Sequence, residues 1–260
     1  MGPVFRPYDE ADFDAVVRMW REVGWIEDSD EHQDALQAFL SAGSAEVAVV
    51  DDEAECLVHC APGSIHYIGR PLPLCAITAV TTSLVGRRQR LASTLTARAL
   101  QQGAAEGAAV AALGMFEQGF YDRFGFGTAS YDHELSFDPS TLDVGHVPYR
   151  VPVRFGIADA ADFHAALMRR LRSHGAIDLD PVGVHAAEMG WADNLVGLGY
   201  RDDDGRVTHG FWGSTQGEYG PLRVTALTYE TLDQLLEVLR LLRELGDQIR
   251  TVKILSLIHI

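Results

Sequence analysis

The stretch that most constrains the fold runs from Ala79 to Gly127. Its first part, residues 79–94, predicts a strand, a short basic turn and a helix, and the apolar run at 108–115 predicts a second strand. The sequence QGFYDRFGFG, residues 118–127, then predicts the start of a helix that ends in a glycine-rich turn. Strands that alternate with helices in this way are typical of an α/β fold.

Charge and composition exclude several functional classes. The chain has 21 Lys and Arg against 37 Asp and Glu, a net charge of −16, so we expect its surface to repel nucleic acid and anionic membranes and to attract cations. Cys56, Cys60 and Cys75 lack the spacing of metal ligands, so we expect reduced core thiols and no metal site. We expect a cytoplasmic protein, because no charged-then-apolar leader opens the chain and no apolar run approaches the ~20 residues that span a bilayer.

The remaining elements of the first half follow from periodicity and breakers. Asp9 is predicted to cap a helix with a stripe of apolar residues, and Gly103 is predicted to end the helix of residues 88–102. The other predicted elements are a first strand at 1–6, a helix at 31–41, and strands at 45–50, 56–61, 65–68, 75–82 and 131–137.

The strand-to-helix pattern then starts again. Aligning Phe5 with Phe155 also places Asp9 on Asp159, so the unit recurs at an offset of 150 residues. Strands are predicted at 194–200, 207–214 and 222–228, with a helix at 231–245. The predicted fold class is therefore α/β with mixed sheets, in which each of two tandem units has a central sheet flanked by helices.

We place the first unit at residues 1–147 and the second, incomplete unit at 148–260. Where the first unit has its basic turn, the second has residues 226–236 with acidic Glu230 and Asp233, so we expect no phosphate binding there. The closing LSLIHI resembles translated adapter sequence, so we also expect a truncated reading frame.

The basic turn of the first unit has the features of an anion site. Arg87 and Arg88 lie at a predicted helix start, where unpaired N–H groups and the helix dipole favour a phosphate. A solvated basic turn is the alternative for an arginine pair taken alone. The strand before it, the helix after it and the acidity of the rest of the chain favour the anion site.

At this point the sequence resembles the GNAT acyltransferases, whose cofactor loop has the form Gln/Arg-x-x-Gly-x-Gly/Ala after a strand. The run RRQRLA, residues 87–92, matches the first and last positions, but Arg90 stands at the middle glycine. In that family the glycine lets the backbone approach the coenzyme A pyrophosphate. Arg90 therefore points away, adds a charge contact or obstructs binding.

A second resemblance to GNAT domains lies in FYDRFGFG, which supplies Tyr121 followed by a Gly-Phe turn at Gly125 and Phe126. The alternative for Tyr121 is a half-buried packing residue. In arrangement the chain is similar to the enhanced intracellular survival (Eis) family, which has two tandem GNAT-like units, of which only the first binds cofactor, followed by a sterol-carrier-like domain. These 260 residues contain no such third domain.

The resemblance implies a cofactor, acetyl-coenzyme A, and a set of site residues. Pantetheine would bond to the strand at Val80, Thr81 and Thr82, and the pyrophosphate would reach the N–H groups near Arg87, Arg88, Arg90, Leu91 and Ala92. A backbone N–H near Thr82 would stabilise the oxyanion and Tyr121 would protonate the departing thiolate. In the Eis family the general base is attributed to the terminal carboxylate, which the third domain contributes.

The acceptor is expected to be cationic. Trp25, Glu27 and Asp28 lie in the predicted loop that borders the acceptor side of such folds, although a solvated carboxylate is the commoner fate of each acid. The leading hypothesis is a bacterial-type N-acetyltransferase that acts on an aminoglycoside-like small molecule or on a lysine side chain. The alternatives are a non-catalytic tandem module for a basic partner and, since GxxxxGK[ST] does not occur, less favourably an NTP-binding protein. Homo-oligomerisation is left open.

Overall fold

The computed structural model of the chain describes residues 2–115, 119–129 and 133–255. Its helices are α1 Phe13–Glu22, α2 Asp30–Leu40, α3 Leu91–Ala105, α4 Ala160–Leu167, α5 Val182–Gly190 and α6 Leu232–Glu244. Its strands are β1 Val4–Pro7, β2 Ser44–Val50, β3 Glu53–Tyr67, β4 Arg70–Thr82, β5 Val110–Ala112, β6 Glu134–Phe137, β7 Val153–Phe155, β8 Ile177–Leu179, β9 Leu195–Arg201, β10 Val207–Thr215, β11 Leu222–Thr228 and β12 Val252–Leu255. None of the helices in these ranges combines the length and apolar character needed to cross a membrane.

Two compact units divide the chain. The first comprises residues 1–129 with 179–191, and the second comprises 130–178 with 192–260. This differs from the predicted division at 147/148 in two places. β6 pairs with β12 in the second unit, and α5 packs on α2 in the first. The reason is that each of these short elements completes a surface of the unit it joins, which sequence order does not reveal.

The first unit is a mixed sheet with helices on both faces. Its strands lie in the order β1-β2-β3-β4-β5, and only β4 and β5 run parallel among the neighbours of this path. On one face α1 and α2 bury Trp20 and Leu36 against Leu57, and on the other α3 buries Leu95 against Ile77. Each helix therefore covers one face with its apolar stripe.

The second unit repeats this plan. Its strands lie in the order β6-β12-β11-β10-β9-β7, and β11 and β12 are parallel. Leu241 of α6 packs with Phe211 and Leu227 of the sheet. The prediction of an α/β fold with two mixed sheets flanked by helices is therefore confirmed.

The repeat is real, but its predicted offset of 150 is wrong by three residues. Asp12 accepts a hydrogen bond from the N–H of Asp9 at 3.0 Å, and Asp159 accepts one from the N–H of Gly156 at 2.9 Å. Each bond closes a short 3-10 turn, and α1 and α4 begin directly after these turns. The equivalent residues are thus Asp12 and Asp159, at an offset of 147, and the aspartates that the first alignment paired have different roles.

The hairpin of β3 and β4 is longer than predicted. The expected strands at 56–61, 65–68 and 75–82 are parts of one continuous pair that includes three prolines. The carbonyls of Pro62 and Pro73 keep hydrogen bonds, which they accept from the N–H of Asp180 at 3.0 Å and of Ala109 at 2.9 Å. β3 and β4 are thus the long inner strands of the first unit's sheet.

Two further predictions near α3 need correction. Gly103 does not end the helix, which continues to Ala105. A Cβ on Gly103 would lie 2.7 Å from the side chain of Cys75, so this glycine allows close packing of helix on sheet. The strand predicted at 108–115 is confined to β5, and residues 116–118 of the following segment lie outside the described residues.

Candidate functional site

The free end of β4 is the first part of the candidate site. In the described part of the chain, β5 pairs with β4 only over the three positions from Leu74 to Ala76. β4 then runs on to Thr82, a further distance of about 20 Å at the usual rise per strand residue. The two parallel strands thus part, and one edge of β4 keeps backbone groups that can pair with an extended amide-containing ligand.

A β-bulge changes the direction of β4 at the start of this free edge. His59 is opposite Ala79 and Cys60 is opposite Ile77, which leaves Thr78 without a partner in the ladder. The side chain of Thr78 is hydrogen bonded to Nδ1 of His59 at 2.5 Å. His59 is fully buried against Phe39, and burial lowers its pKa to about 4, so it is a neutral support for the bulge.

The predicted pantetheine-binding residues lie on this free segment with different exposures. Val80 is half-buried and packs on the α3-side core, whereas the side chain of Thr81 is buried on the opposite face. Thr82 is half-buried, and its Oγ1 lies 3.2 Å from Sγ of Cys56. A ligand can therefore bond to the backbone groups of these residues more readily than to their side chains.

The loop that follows, residues 83–90, is anchored to its neighbours by hydrogen bonds. Ser83 donates its N–H to the carbonyl of Glu55 at 3.0 Å, and its Oγ accepts from the N–H of Gly86 at 2.9 Å. Leu84 donates its N–H to Oε2 of Glu22 at 2.8 Å. A Cβ on Gly86 would lie 2.8 Å from the Glu55 carbonyl, so glycine is required here. The loop is therefore defined before any ligand binds.

The start of α3 has the chemistry of an anion site. Arg90 precedes the helix with φ +62° and makes no side-chain cap bond, and no acidic residue lies in the first turn. Arg87, Arg88 and Arg90 are exposed, and none of them forms an ion pair with another described residue. Free helix N–H groups, the positive end of the dipole and three guanidinium groups together fit a pyrophosphate. Leu91 is buried, so it can contribute only its N–H, and Ala92 is half-buried.

Arg90 occupies the middle glycine position of the loop in a left-handed conformation that glycine adopts readily. Arg88 has φ +63° as well. The backbone at Arg90 therefore keeps the path that a glycine would take, although a side chain makes this conformation strained.

Tyr121 lies in a different local structure from the one predicted. It precedes a single 3-10 turn, Asp122–Phe124, and Gly125 closes this turn with φ +88°, so no α-helix begins here. The half-buried Tyr121 ring meets that of Phe126 edge-on, with centroids 6.0 Å apart. Phe126 packs on the α3-side core, as does Val80, so Tyr121 lies toward the face of the sheet that α3 covers.

The predicted acceptor residues lie together in the loop between α1 and α2. Trp25 packs edge-on against Trp20, with centroids 5.1 Å apart, and is 38% exposed. Asp28 is paired with Arg21 at 2.9 Å. Glu27 is exposed and its N–H bonds to His32. Of the two acids, Glu27 is the one whose carboxylate is not already paired with an arginine.

The equivalent place in the second unit differs in its loop length, its helix cap and its charge. β11 and β12 pair over three positions, as β4 and β5 do. However, residues 229–231 make the whole connection to α6, whereas residues 83–90 connect β4 to α3. Thr231 caps α6 by accepting from the N–H of Gln234 at 3.3 Å, and Asp233 adds negative charge in the first turn. A capped, acidic helix start disfavours phosphate.

Sequence patterns alone missed three residues of the site, namely Glu22, Glu55 and Thr78. Glu22 and Glu55 hold the loop from α1 and β3, and Thr78 forms the bulge. No local signal marks them, because their roles depend on contacts across 19 to 62 residues of sequence. Among the described residues, no group of three or more His, Cys, Asp or Glu is placed to hold a metal ion.

Comparisons with known proteins concern the family and the fold. Residues 4–129 match the family model described as Acetyltransferase (GNAT) domain. A search of the curated protein sequences found no match.

Among solved structures, the fold is similar to a GCN5-related N-acetyltransferase from Anabaena variabilis (TM-score 0.79, 13% identity, 99% of this chain and 66% of that one). It is also similar to a GCN5-related N-acetyltransferase from Kribbella flavida (TM-score 0.71, 18% identity, 98% of this chain and 64% of that one). A third similar structure is Eis1 from Mycobacterium abscessus (TM-score 0.71, 16% identity, 97% of this chain and 65% of that one). The chain thus spans somewhat less than two thirds of the length of these structures. Residues 4–129 therefore match the acetyltransferase (GNAT) domain family, and nearly the whole chain shares its fold with N-acetyltransferase structures.

Proposed function

We propose that the chain is an acetyl-coenzyme A-dependent N-acetyltransferase whose first unit binds the cofactor. The observation that carries the proposal is the start of α3, which has no side-chain cap and follows three exposed arginines that pair with no other described residue, in the loop after the free edge of β4. A nucleotide pyrophosphate joined to an extended diamide arm needs these two features next to each other. The match of residues 4–129 supports the same assignment.

The proposed roles follow from the chemistry of the residues. The backbone of Val80, Thr81 and Thr82 binds the pantetheine arm, and N–H groups from Arg87 to Ala92 bind the pyrophosphate, with Arg90 adding charge. Bound acetyl-coenzyme A supplies an acetyl thioester, which an amine attacks. A backbone N–H near Thr82 stabilises the negative charge on the carbonyl oxygen.

In this proposal Tyr121 protonates the departing thiolate as the carbon–sulfur bond breaks, the attacking amine loses a proton to the solvent as the carbon–nitrogen bond forms, and the phenolate regains a proton from the solvent. Reference pKa values of about 8.5 for a thiol and about 10 for a phenol make this transfer mildly uphill, so a positioned phenol is needed. The half-buried ring, held by Phe126 at the turn closed by Gly125, supports that positioning.

The proposed acceptor is a primary amine on a cationic small molecule of the aminoglycoside type or on a lysine side chain. The net charge of −16 attracts such molecules, and the exposed carboxylate of Glu27 beside Trp25 gives a cation a local partner. Asp28 contributes less, since it is already paired with Arg21. The tandem arrangement is proposed to be Eis-like, with a second unit that binds no cofactor.

Turnover tests the proposal. Release of free coenzyme A is measured with acetyl-coenzyme A and a panel of aminoglycosides, polyamines and lysine peptides. We expect turnover with a multiply charged amine and a fall in kcat of about 100-fold for Tyr121→Phe, the usual contribution of a general acid. Tyr149→Phe, which changes an exposed tyrosine of the second unit, is the matched control and should keep full activity. Full activity of Tyr121→Phe would remove Tyr121 from the mechanism.

The alternative is a non-catalytic module for a basic partner, which the acidic charge and the arginine at position 90 favour. In that case the chain should not bind acetyl-coenzyme A. If the chain binds acetyl-coenzyme A but transfers acetyl to no amine of the panel, the proposed acceptor class is wrong.

A further inference from the structure

A carboxylate from α1 holds the tip of the loop at residues 83–90. Oε2 of Glu22 accepts the N–H of Leu84 at 2.8 Å. The side chains of Leu84 and Val85 are 62% and 72% exposed, so apolar packing does not fix this part of the loop. Its position therefore depends on backbone hydrogen bonds, and that of Leu84 goes to a side chain of another element.

Glu22 is itself held by Arg18. Oε1 of Glu22 accepts from Arg18 at 3.2 Å, and the same guanidinium bonds to both carboxylate oxygens of Glu55, at 3.2 and 3.3 Å. The carbonyl of Glu55 accepts the N–H of Ser83. Arg18 thus links the two acids whose oxygens anchor the loop, and its single positive charge offsets part of their negative charge.

We infer that Glu22 is a positioning residue of the cofactor loop. Glu22 fixes the Leu84 N–H and, through it, the left-handed path that leads to Arg88, Arg90 and the free N–H groups of α3. The inference rests on the proposed function, because it assigns Glu22 to the pyrophosphate end of that cofactor site. A charge-assisted bond to a backbone N–H is among the stronger hydrogen bonds, so its loss should loosen the loop.

The chain offers a matched control in Glu53. This residue bonds to the same guanidinium of Arg18 at 3.2 Å, but it is 68% exposed. No described hydrogen bond joins it to the loop. Glu53→Gln removes one charge from the same cluster and leaves the Leu84 anchor intact.

The test compares two ligands with four proteins: the wild type, Glu22→Ala, Glu22→Gln and Glu53→Gln. Acetyl-coenzyme A carries the pyrophosphate, whereas S-acetyl-pantetheine lacks it. We expect Glu22→Ala to weaken acetyl-coenzyme A by about 10-fold or more, the loss expected for one charge-assisted bond, and to leave S-acetyl-pantetheine unchanged. Glu22→Gln keeps an acceptor oxygen and should recover most of the affinity, and Glu53→Gln should bind as the wild type does.

Hydrogen exchange adds a readout that needs no ligand. The Leu84 amide should exchange faster in Glu22→Ala than in Glu53→Gln, with α1 and β3 unchanged. Equal loss of affinity for both ligands, or faster exchange throughout the first unit, would show a general structural role and overturn the inference. Unchanged acetyl-coenzyme A binding by Glu22→Ala would overturn it alone, whereas a wild type that does not bind acetyl-coenzyme A would overturn the proposed function as well.

Discussion

Replacement of Arg90 by glycine tests whether residue 90 bears the strain of a glycine position. Arg90 has φ +62°, and an L-residue in the left-handed region costs about 1–2 kcal/mol. Glycine removes this cost but adds about 0.5–1 kcal/mol of chain entropy in the unfolded state. The difference predicts that Arg90→Gly is more stable than the wild type by about 0.5–1 kcal/mol.

Arg90→Ala separates the backbone from the charge. It removes the guanidinium but keeps the Cβ, so its stability should equal that of the wild type. Urea unfolding of the three proteins, followed without ligand, measures the differences directly. If Arg90→Gly is no more stable than Arg90→Ala, the account of a strained glycine position is refuted.

The same pair decides what Arg90 does for the ligand. Because the backbone already follows a glycine-like path, we expect the side chain to act through its charge. Arg90→Gly and Arg90→Ala should then weaken acetyl-coenzyme A binding to the same extent, with a smaller salt dependence than the wild type has. Tighter binding by Arg90→Gly than by the wild type would instead identify the side chain as an obstruction.

Three further predictions concern stability and reactivity. The pKa of His59 is about 4 in the folded chain and about 6.5 in the unfolded chain, so the free energy of unfolding should fall by about 3 kcal/mol as the pH drops through that window. Urea unfolding at each pH should show a smaller loss for His59→Phe. A hydrogen bond with Cys60 lowers the pKa of Cys75 to about 7, whereas burial raises the pKa of Cys56 to about 11. Iodoacetamide should therefore alkylate Cys75 before Cys56, as mass spectrometry would show. Equal labelling of the two cysteines would contradict this prediction. Asp178→Asn leaves the buried guanidinium of Arg170 without its charge partner and should cost the second unit about 3–5 kcal/mol, a loss below 1 kcal/mol being inconsistent with the buried pair.

Much of the scaffold could be predicted from periodicity. β9, β10, β11 and α6 begin and end within one or two residues of the predicted bounds, because each has a regular apolar pattern bordered by turn residues. The long hairpin could not be predicted in the same way. Its prolines signal breaks, whereas the ladder between the two strands continues through Pro62 and Pro73, which depends on pairing across the hairpin.

The candidate site was predictable in its chemistry and not in its geometry. The basic turn at Arg87 and Arg88 stands out in an acidic chain, and it does lie at a helix start. The left-handed backbone of Arg90 was not predictable, because long-range anchors such as Glu22 hold the loop in a conformation that local propensity opposes. The bulge at Thr78 likewise depends on pairing with another strand.

Calorimetric titration of the chain with acetyl-coenzyme A is the sharpest test of whether the first unit binds this cofactor. We expect a single site with micromolar affinity, which the first unit supplies, and weaker binding as salt screens Arg87, Arg88 and Arg90. A stoichiometry of two would contradict the inactive second unit. No binding at micromolar concentrations would contradict cofactor binding itself.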